Sequence, residues 1–109
     1  MEIVPRTIEY YSTGNGHLPY REWIESLAVS VQVAIDRRLT RVESGLLGDC
    51  KYIGGGVFEL RIDLGPGYRI YFGQRGRAVI LLLCGGDKRS QKRDIQAAQT
   101  YWTDYLGRN

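Results

Sequence analysis

The sequence predicts a single small α+β domain, residues 1–109, with the element order β-α-α-β-β-β-α and a helix hairpin packed on a mostly antiparallel sheet. Three observations predict this class. Two stretches before residue 50 have apolar residues at helical spacing, a hairpin with alternating residues follows a triple glycine, and an apolar run precedes a last amphipathic helix. A chain of 109 residues has room for one modest core.

The first half of the chain changes from a strand pattern to a helical pattern. Glu2 to Tyr11 is rich in β-branched and aromatic residues and ends in a turn cluster, which predicts a first strand. The apolar residues from Tyr20 to Leu27 recur at i, i+3, i+4 and i+7, as in a short helix. The same spacing from Val31 to Leu46 predicts a second, longer helix, which Gly45 and Gly48 end.

A β-hairpin with two unlike faces is predicted after Gly54-Gly55-Gly56. Residues 57–63 and 68–75 alternate as in strands, and Gly65-Pro66-Gly67 reverses the chain between them. The face expected to bury against the helices carries Phe58, Leu60, Ile62, Ile70 and Phe72. The far face carries Arg61, Arg69 and Tyr71.

The last strand and the last helix follow the hairpin. Val79 to Leu83 is apolar at every position, which is typical of a strand covered on both faces, and Gly85-Gly86 ends it. Asp87 or Ser90 is placed to cap the helix that follows. The apolar residues of that helix recur at helical spacing: Ile95, Ala98, Trp102 and Tyr105.

The positive charge of the chain belongs to its C-terminal half. The formal net charge is +3, but residues 1–49 carry five Lys/Arg against seven Asp/Glu, whereas residues 50–109 carry ten against five. A basic half predicts a polyanionic partner such as nucleic acid, or an acidic protein that masks the same surface. A modest surplus of surface Lys and Arg without any function is the alternative.

Several classes of protein are excluded at this level. The N-terminus lacks a signal-peptide pattern, and the longest apolar run, Ala78 to Cys84, is too short to span a membrane, so we expect a cytoplasmic protein. Cys50 and Cys84 form neither a zinc spacing nor a disulfide framework. His17 is expected in a solvated turn, and the scattered acidic residues predict neither a metal site nor a cofactor.

The remaining candidate functional residues are arginines and lysines. Arg61 and Arg69 share one face of the hairpin, and a basic group follows at the strand-to-helix turn: Lys88, Arg89, Lys92 and Arg93. Solubility alone can account for such residues. However, Lys88 and Arg89 lie in the first turn of a predicted helix, where the helix dipole disfavours cations, and a bound anion would compensate for that cost.

A resemblance to a known family runs through nearly the whole chain in the same order. The segments that carry it are PYREWI (19–24), VFELRI (57–62), GPGYRIYF (65–72), LCGGDK (83–88) and, last, Asp94-Ile95, Ala97-Ala98 and Tyr101-Trp102. In these segments the chain resembles the RelE/ParE superfamily of bacterial toxins, specifically the HigB-like, phage-derived branch called addiction-module killer proteins. The RelE-like fold that the resemblance implies agrees with the element order predicted above.

The resemblance implies the toxin of a type II toxin–antitoxin system. Such a toxin would be a metal-free ribonuclease that cuts mRNA in the ribosome and is silenced by a cognate antitoxin, generally a helix-turn-helix protein in this branch. In the reaction of the family, the RNA 2′-hydroxyl attacks the adjacent phosphate and leaves a 2′,3′-cyclic phosphate. This step needs a base, cations for the phosphorane charge, and an acid for the leaving oxygen.

The resemblance also assigns roles to individual residues. Arg69 falls at the arginine of the family's Gly-Tyr-Arg segment and would stabilise the phosphate, with Arg61 in support, and Lys88 matches a basic position near the phosphate. Tyr71 would stack on a base or position a group. The expected contacts to RNA further include Arg89, Lys92, Arg93 and Lys51.

The chain departs from the family pattern at the acid and the base. Where RelE-type enzymes have lysines before the hairpin turn, this chain has Val57 and Glu59, and its last helix offers Asp94-Ile95 where they have a tyrosine. Glu59 is a candidate base, but it is equally a candidate structural ion pair with Arg61. A non-catalytic, ParE-like poison of DNA gyrase and an RNA-binding module without cleavage therefore stay open beside the mRNA endonuclease.

Overall fold

Five strands form one sheet in the computed structural model, which describes residues 4–108. Their order across the sheet is β1 (Thr7–Tyr10), β5 (Val79–Gly86), β4 (Tyr68–Arg75), β3 (Val57–Ile62) and β2 (Cys50–Gly54). β1 pairs with β5 in parallel, and all other neighbours pair antiparallel. The predicted α+β class with a mostly antiparallel sheet is confirmed.

The helices cover both faces of this sheet. Helices α1 (Pro19–Glu25) and α2 (Val29–Glu43) share a core with Leu60, Ile70 and other residues of the same strand face. A short 3-10 turn, Lys88–Ser90, leads into α3 (Gln91–Leu106), which packs on the opposite face. Within the part of the chain that the structure describes, no helix is long and apolar enough to cross a membrane.

Local signals place most element ends close to the predicted ones. Helix α2 ends at Glu43, and Gly45 follows with φ of +95°, a left-handed conformation that glycine adopts without strain. Asp87 accepts a hydrogen bond from the backbone N–H of Arg89 at 2.8 Å and caps the 3-10 turn that leads into α3, whereas Ser90, at the N-cap of α3, makes no side-chain capping hydrogen bond. The start of the predicted first strand at Glu2 lies outside the described residues, and strand β1 begins at Thr7.

The predicted element order lacked one strand. Residues 50–54 form β2, which pairs antiparallel with β3 at the edge of the sheet. The register places Lys51 opposite Glu59 and Tyr52 opposite Phe58. This strand is five residues long and ends in a glycine, so its sequence carries little alternation.

The far face of the hairpin is largely covered, because α3 packs against it. Val57 and Tyr71 on that face have no exposed surface and form a second core with Trp102 of α3. The face is open toward the hairpin turn, where the Arg61 side chain is 37% exposed. The arginines predicted for this face therefore lie at the margin of a core.

The packing of α3 depends on a glycine in β4. A Cβ atom added to Gly73 would lie 2.2 Å from two ring carbons of Trp102, far inside van der Waals contact. We expect Gly73→Ala to lower the free energy of unfolding in urea by about 1–3 kcal/mol. Gly14→Ala is the matched control, because nothing lies within 4 Å of its added Cβ. Equal stability of the two variants would contradict this packing.

Candidate functional site

The centre of the candidate site is the buried carboxylate of Glu59. It has no exposed surface, and Arg61 donates a hydrogen bond from Nε to its Oε1 at 3.0 Å. Its Oε2 accepts hydrogen bonds from the Tyr71 hydroxyl at 3.1 Å and from Nε2 of Gln91 at 2.9 Å. Nε of Arg69 lies 3.5 Å from Oε2, at ion-pair distance. Glu59 therefore joins four side chains at one point.

Strand register and helix docking produce this arrangement. Arg61 lies directly opposite Arg69 across the β3–β4 hairpin, and Glu59 lies directly opposite Tyr71. Directly opposed residues point to the same face of a sheet, so all four side chains meet there. Gln91 is the first residue of α3, which packs on that face, and its side chain reaches Glu59 from there.

The charges of the cluster support one another. Burial alone would raise the pKa of Glu59, but the hydrogen bonds from Gln91, Arg61 and Tyr71 and the charge of Arg69 together hold it below its usual range. The hydrogen bond and charge of Glu59 raise the pKa of Arg61. Burial and the Glu59 charge raise the pKa of Tyr71. The cluster thus contains an ionised carboxylate, two guanidinium cations and a neutral phenol.

The two arginines present free donors to a cleft beside the hairpin turn. Arg61 contacts Glu59 through Nε, and Arg69 also donates from Nη1 to the Gly67 carbonyl at 3.0 Å. Within residues 4–108, the Nη atoms of Arg61 and the Nη2 atom of Arg69 make no hydrogen bond. The cleft has a volume of about 220 Å³ and is lined by Asp49, Arg61, Ile62, Asp63, Gly67, Tyr68 and Arg69.

Lys88 approaches the same cleft from the turn before α3. A Cβ atom added to Gly67 would lie 3.5 Å from Nη1 of Arg69 and 3.8 Å from Cβ of Lys88. Lys88 is exposed and borders the cleft without lining it. Lys51, which is also exposed, lies opposite Glu59 in the edge strand β2. The structure therefore brings Arg61 and Arg69 together at the cleft and places Lys88 beside it.

The other basic residues form a separate, open surface on the first turns of α3. This surface borders a cleft of about 650 Å³ lined by Asp87, Arg89, Ser90, Lys92, Arg93 and Gln96. Arg89 pairs with Asp87 at 3.2 Å, and Nε of Arg93 lies 4.0 Å from the Asp94 carboxylate. Two of the predicted RNA contacts are therefore partly neutralised by neighbouring carboxylates, whereas Lys92 makes no ion pair with a described residue.

The structure narrows two of the roles predicted from the sequence. Tyr71 was expected to stack on a base or to position a group; it is completely buried under α3, which excludes stacking, and its hydroxyl donates a hydrogen bond to Glu59. The sequence left two roles for Glu59, a general base and a partner in a structural ion pair. Its burial, the three hydrogen bonds that its oxygens accept and its lowered pKa all favour the ion pair, because a general base must lie within reach of the proton that it takes up.

Sequence reasoning missed three residues of this site. Gln91 bonds to Glu59 only because α3 docks on the far face. Asp49 lines the cleft and accepts a backbone hydrogen bond from Arg61 at 3.0 Å, which follows from the unpredicted strand β2. Asp63, the first residue after β3, also lines the cleft. For these three residues the sequence held one signal: Asp63 follows Arg61 by two positions, and such residues lie on the same face of a strand.

Two other titratable side chains, His17 and Cys84, make no hydrogen bond to the Glu59 cluster. His17 is exposed and pairs with Glu22 at 3.2 Å. Burial raises the pKa of the Cys84 thiol to about 12, so it stays protonated. Among residues 4–108, no group of three or more His, Cys, Asp and Glu side chains is placed to hold a metal ion.

Comparison with known proteins places the site inside a shared region. Residues 22–102 match the family model described as phage derived protein Gp49-like (DUF891). An uncharacterized protein of Haemophilus influenzae is 40% identical over 83 residues, which is 75% of this chain and 84% of the relative. The span matched by the family model contains every residue of the Glu59 cluster and of the cleft.

Proposed function

Because the chain belongs to the Gp49-like family of phage-derived proteins, a family of addiction-module killer proteins related to toxins, we propose that it is the toxin of a type II toxin–antitoxin system. Its proposed activity is that of a metal-free, ribosome-dependent mRNA endonuclease that inhibits translation in the cytoplasm. The observation that carries this proposal is the pair Arg61 and Arg69, which one buried carboxylate holds at the mouth of a cleft.

The arginine pair has the chemistry that a phosphodiester requires. A guanidinium group binds two phosphate oxygens through a planar pair of N–H donors, and the free Nη atoms of Arg61 and Arg69 offer such donors. Glu59 holds Nε of Arg61 by a hydrogen bond and lies at ion-pair distance from Nε of Arg69, so both cations are positioned before charge develops on the phosphorane. Lys88, at the border of the cleft, would supply a third positive charge to a bound phosphate.

The proposed reaction moves one proton at each end of the scissile bond. The RNA 2′-oxygen forms a bond to phosphorus and loses its proton to a base, and the bond from phosphorus to the 5′-oxygen breaks. The products are a 2′,3′-cyclic phosphate and a 5′-hydroxyl, which receives a proton from an acid. We assign the base to the Asp49 carboxylate, which lines the cleft beside Arg61, and the acid to the Lys88 ammonium.

Because Asp49 is the proposed base, replacing it should slow cleavage without destabilising the fold. Asp49→Asn keeps the size of the side chain but removes its basicity, so we expect the cleavage rate to fall about 10²- to 10⁴-fold. The stability of the fold should change little, because Asp49 is exposed. Single-turnover cleavage of ribosome-bound mRNA measures the rate. Glu43→Gln, an exposed acid on α2, is the matched control, and equal rates in the two variants would remove Asp49 from the mechanism.

One observation favours the non-catalytic alternative. Glu59 is fully buried and accepts three hydrogen bonds, and Tyr71 is fully buried, so two of the residues first considered for the catalytic site serve the structure. A ParE-like poison of DNA gyrase, or an RNA-binding module, would need only the cationic surface. Pulse labelling after induction from a tightly repressed promoter distinguishes these functions. Translation stops first for the endonuclease, whereas DNA synthesis stops first for the gyrase poison.

The proposed partners follow from the same surface. The cognate antitoxin, proposed to be a helix-turn-helix protein, would silence the toxin by covering the Arg61–Arg69 cleft with acidic side chains. Co-expression with a candidate helix-turn-helix antitoxin tests this point. Growth should be restored, and the restored growth should depend on acidic residues of the partner.

A further inference from the structure

A second cleft lies on the opposite face of the sheet, between β1 and the helix hairpin. It has a volume of about 170 Å³ and is lined by Tyr10, Tyr20, Arg21, Ile24, Glu25, Gln32 and Asp36. Tyr20 and Ile24 belong to the core under α1 and α2, whereas the Glu59 cluster lies under α3. The two clefts share no residue, so an inference about this one is independent of the proposed function.

The cleft contains a buried hydroxyl group without a partner. Tyr20 is 2% exposed, and its hydroxyl oxygen makes no hydrogen bond. Its ring is fixed between those of Tyr10 and Trp23, with centroid distances of 5.8 Å and 5.7 Å. Buried polar atoms are nearly always hydrogen-bonded, and an exception calls for an explanation such as a ligand. A phenol oxygen can accept a hydrogen bond from a ligand donor.

Negative charge and an aromatic face surround this hydroxyl. Glu25 and Asp36 are exposed, and neither carboxylate makes a hydrogen bond or an ion pair within the described part of the chain. Burial raises the pKa of Tyr20, the charge of Asp36 adds to this effect and the charge of Arg21 opposes it, so both side chains lie within electrostatic range of the phenol. The guanidinium of Arg21 already lies over the Tyr10 ring, 5.6 Å from its centroid.

We propose that this cleft binds a guanidinium cation. The N–H groups of such a ligand would donate hydrogen bonds to the Asp36 and Glu25 carboxylates and to the Tyr20 hydroxyl oxygen. This ligand satisfies the one unpartnered buried group of the cleft and neutralises its two unpaired carboxylates. The guanidinium could belong to an arginine side chain of a partner protein or to a free small molecule.

A titration with ethylguanidine tests the proposal. We expect saturable changes in the amide NMR shifts of residues lining the cleft, with Asp36→Asn weakening the affinity about tenfold or more. Tyr20→Phe should weaken binding several-fold without lowering the melting temperature, because the hydroxyl makes no bond in the free protein. Glu43→Gln removes one exposed negative charge elsewhere on α2 and should bind like the wild type.

A parallel titration with the peptide acetyl-Gly-Arg-Gly-amide distinguishes the two sources of the cation. Tighter binding of the peptide supports the site and assigns it to a partner side chain, whereas tighter binding of ethylguanidine supports it and assigns it to a small molecule. The proposal is overturned if neither probe gives saturable shifts at the cleft. It is also overturned if Asp36→Asn and Glu43→Gln bind both probes with the same affinity.

Discussion

Replacing Glu59 with alanine is expected to lower the free energy of unfolding by about 3–5 kcal/mol, because it breaks a buried ion pair by removing one partner. The carboxylate has no exposed surface and accepts hydrogen bonds from Arg61, Tyr71 and Gln91. Its removal leaves the Tyr71 hydroxyl buried without an acceptor and the Arg69 side chain, only 12% exposed, without its counter-ion. Urea denaturation measures the loss.

A surface ion pair supplies the control for this prediction. Glu9 pairs with Arg75 at 3.3 Å, and both side chains are largely open to solvent, so Glu9→Ala should change the stability only slightly. Glu59→Gln retains an acceptor for Tyr71 but loses the charge, and its stability should fall between those of the wild type and Glu59→Ala. If Glu59→Ala loses no more stability than Glu9→Ala, the four contacts at Glu59 do not support the fold.

The same carboxylate predicts a dependence of stability on pH. The pKa of Glu59 in the folded protein lies below its usual value of 4.5, because the hydrogen bonds and charges of its partners outweigh the effect of burial. The unfolded chain therefore takes up this proton first as the pH falls. The contribution is fully present above about pH 4.5 and is lost as the pH falls from there through the folded-state pKa. Glu59→Gln should show a shallower acid decline.

Replacing Arg69 with alanine is expected to reduce RNA cleavage about 10²- to 10³-fold, the usual effect of removing a preorganised donor from a developing oxyanion. Arg69 lies at the cleft, with Nη1 on the Gly67 carbonyl and Nε facing Glu59. Arg69→Lys should restore little activity, since an ammonium group keeps the charge but lacks the planar set of donors. Cleavage of an mRNA in a reconstituted translation reaction measures the rate.

Arg75→Ala is the matched control for this second prediction. It removes an arginine from the same strand, but Arg75 is exposed and lies at the far end of β4 from the cleft. Its activity should equal that of the wild type. Because Arg69 also contacts Glu59, circular dichroism must show that each variant is folded. A folded Arg69→Ala protein with full activity would contradict the assigned role.

Much of the fold follows from periodicity that is visible in the sequence. Residues 57–62 and 68–72 alternate, and the helical spacing from Val31 onward reflects the burial of Ile35 and Leu39. Strand β2 was missed because it is short and is defined by its pairing with β3, which is a tertiary feature. The covering of the far face was missed for a similar reason. The amphipathic pattern of α3 predicts a buried side but does not state which sheet face it meets.

The candidate site was predictable only where a single hairpin defines it. Arg61 and Arg69 are close because their strands are adjacent in sequence and their register places them opposite each other. The state of Glu59 depends on Gln91, which is 32 residues away and reaches it only through the docking of α3. The position of Asp49 depends on β2. Acid–base assignments therefore required the tertiary structure, whereas the cation pair did not.

Mapping mRNA 5′ ends by primer extension, shortly after induction, tests the central claim most directly. The wild type, Arg69→Ala and Arg75→Ala would be expressed from the same tightly repressed promoter. The account predicts new 5′ ends inside translated reading frames for the wild type and Arg75→Ala, and none for Arg69→Ala. Growth arrest by the wild type with intact transcripts would contradict the endonuclease and direct attention to DNA gyrase.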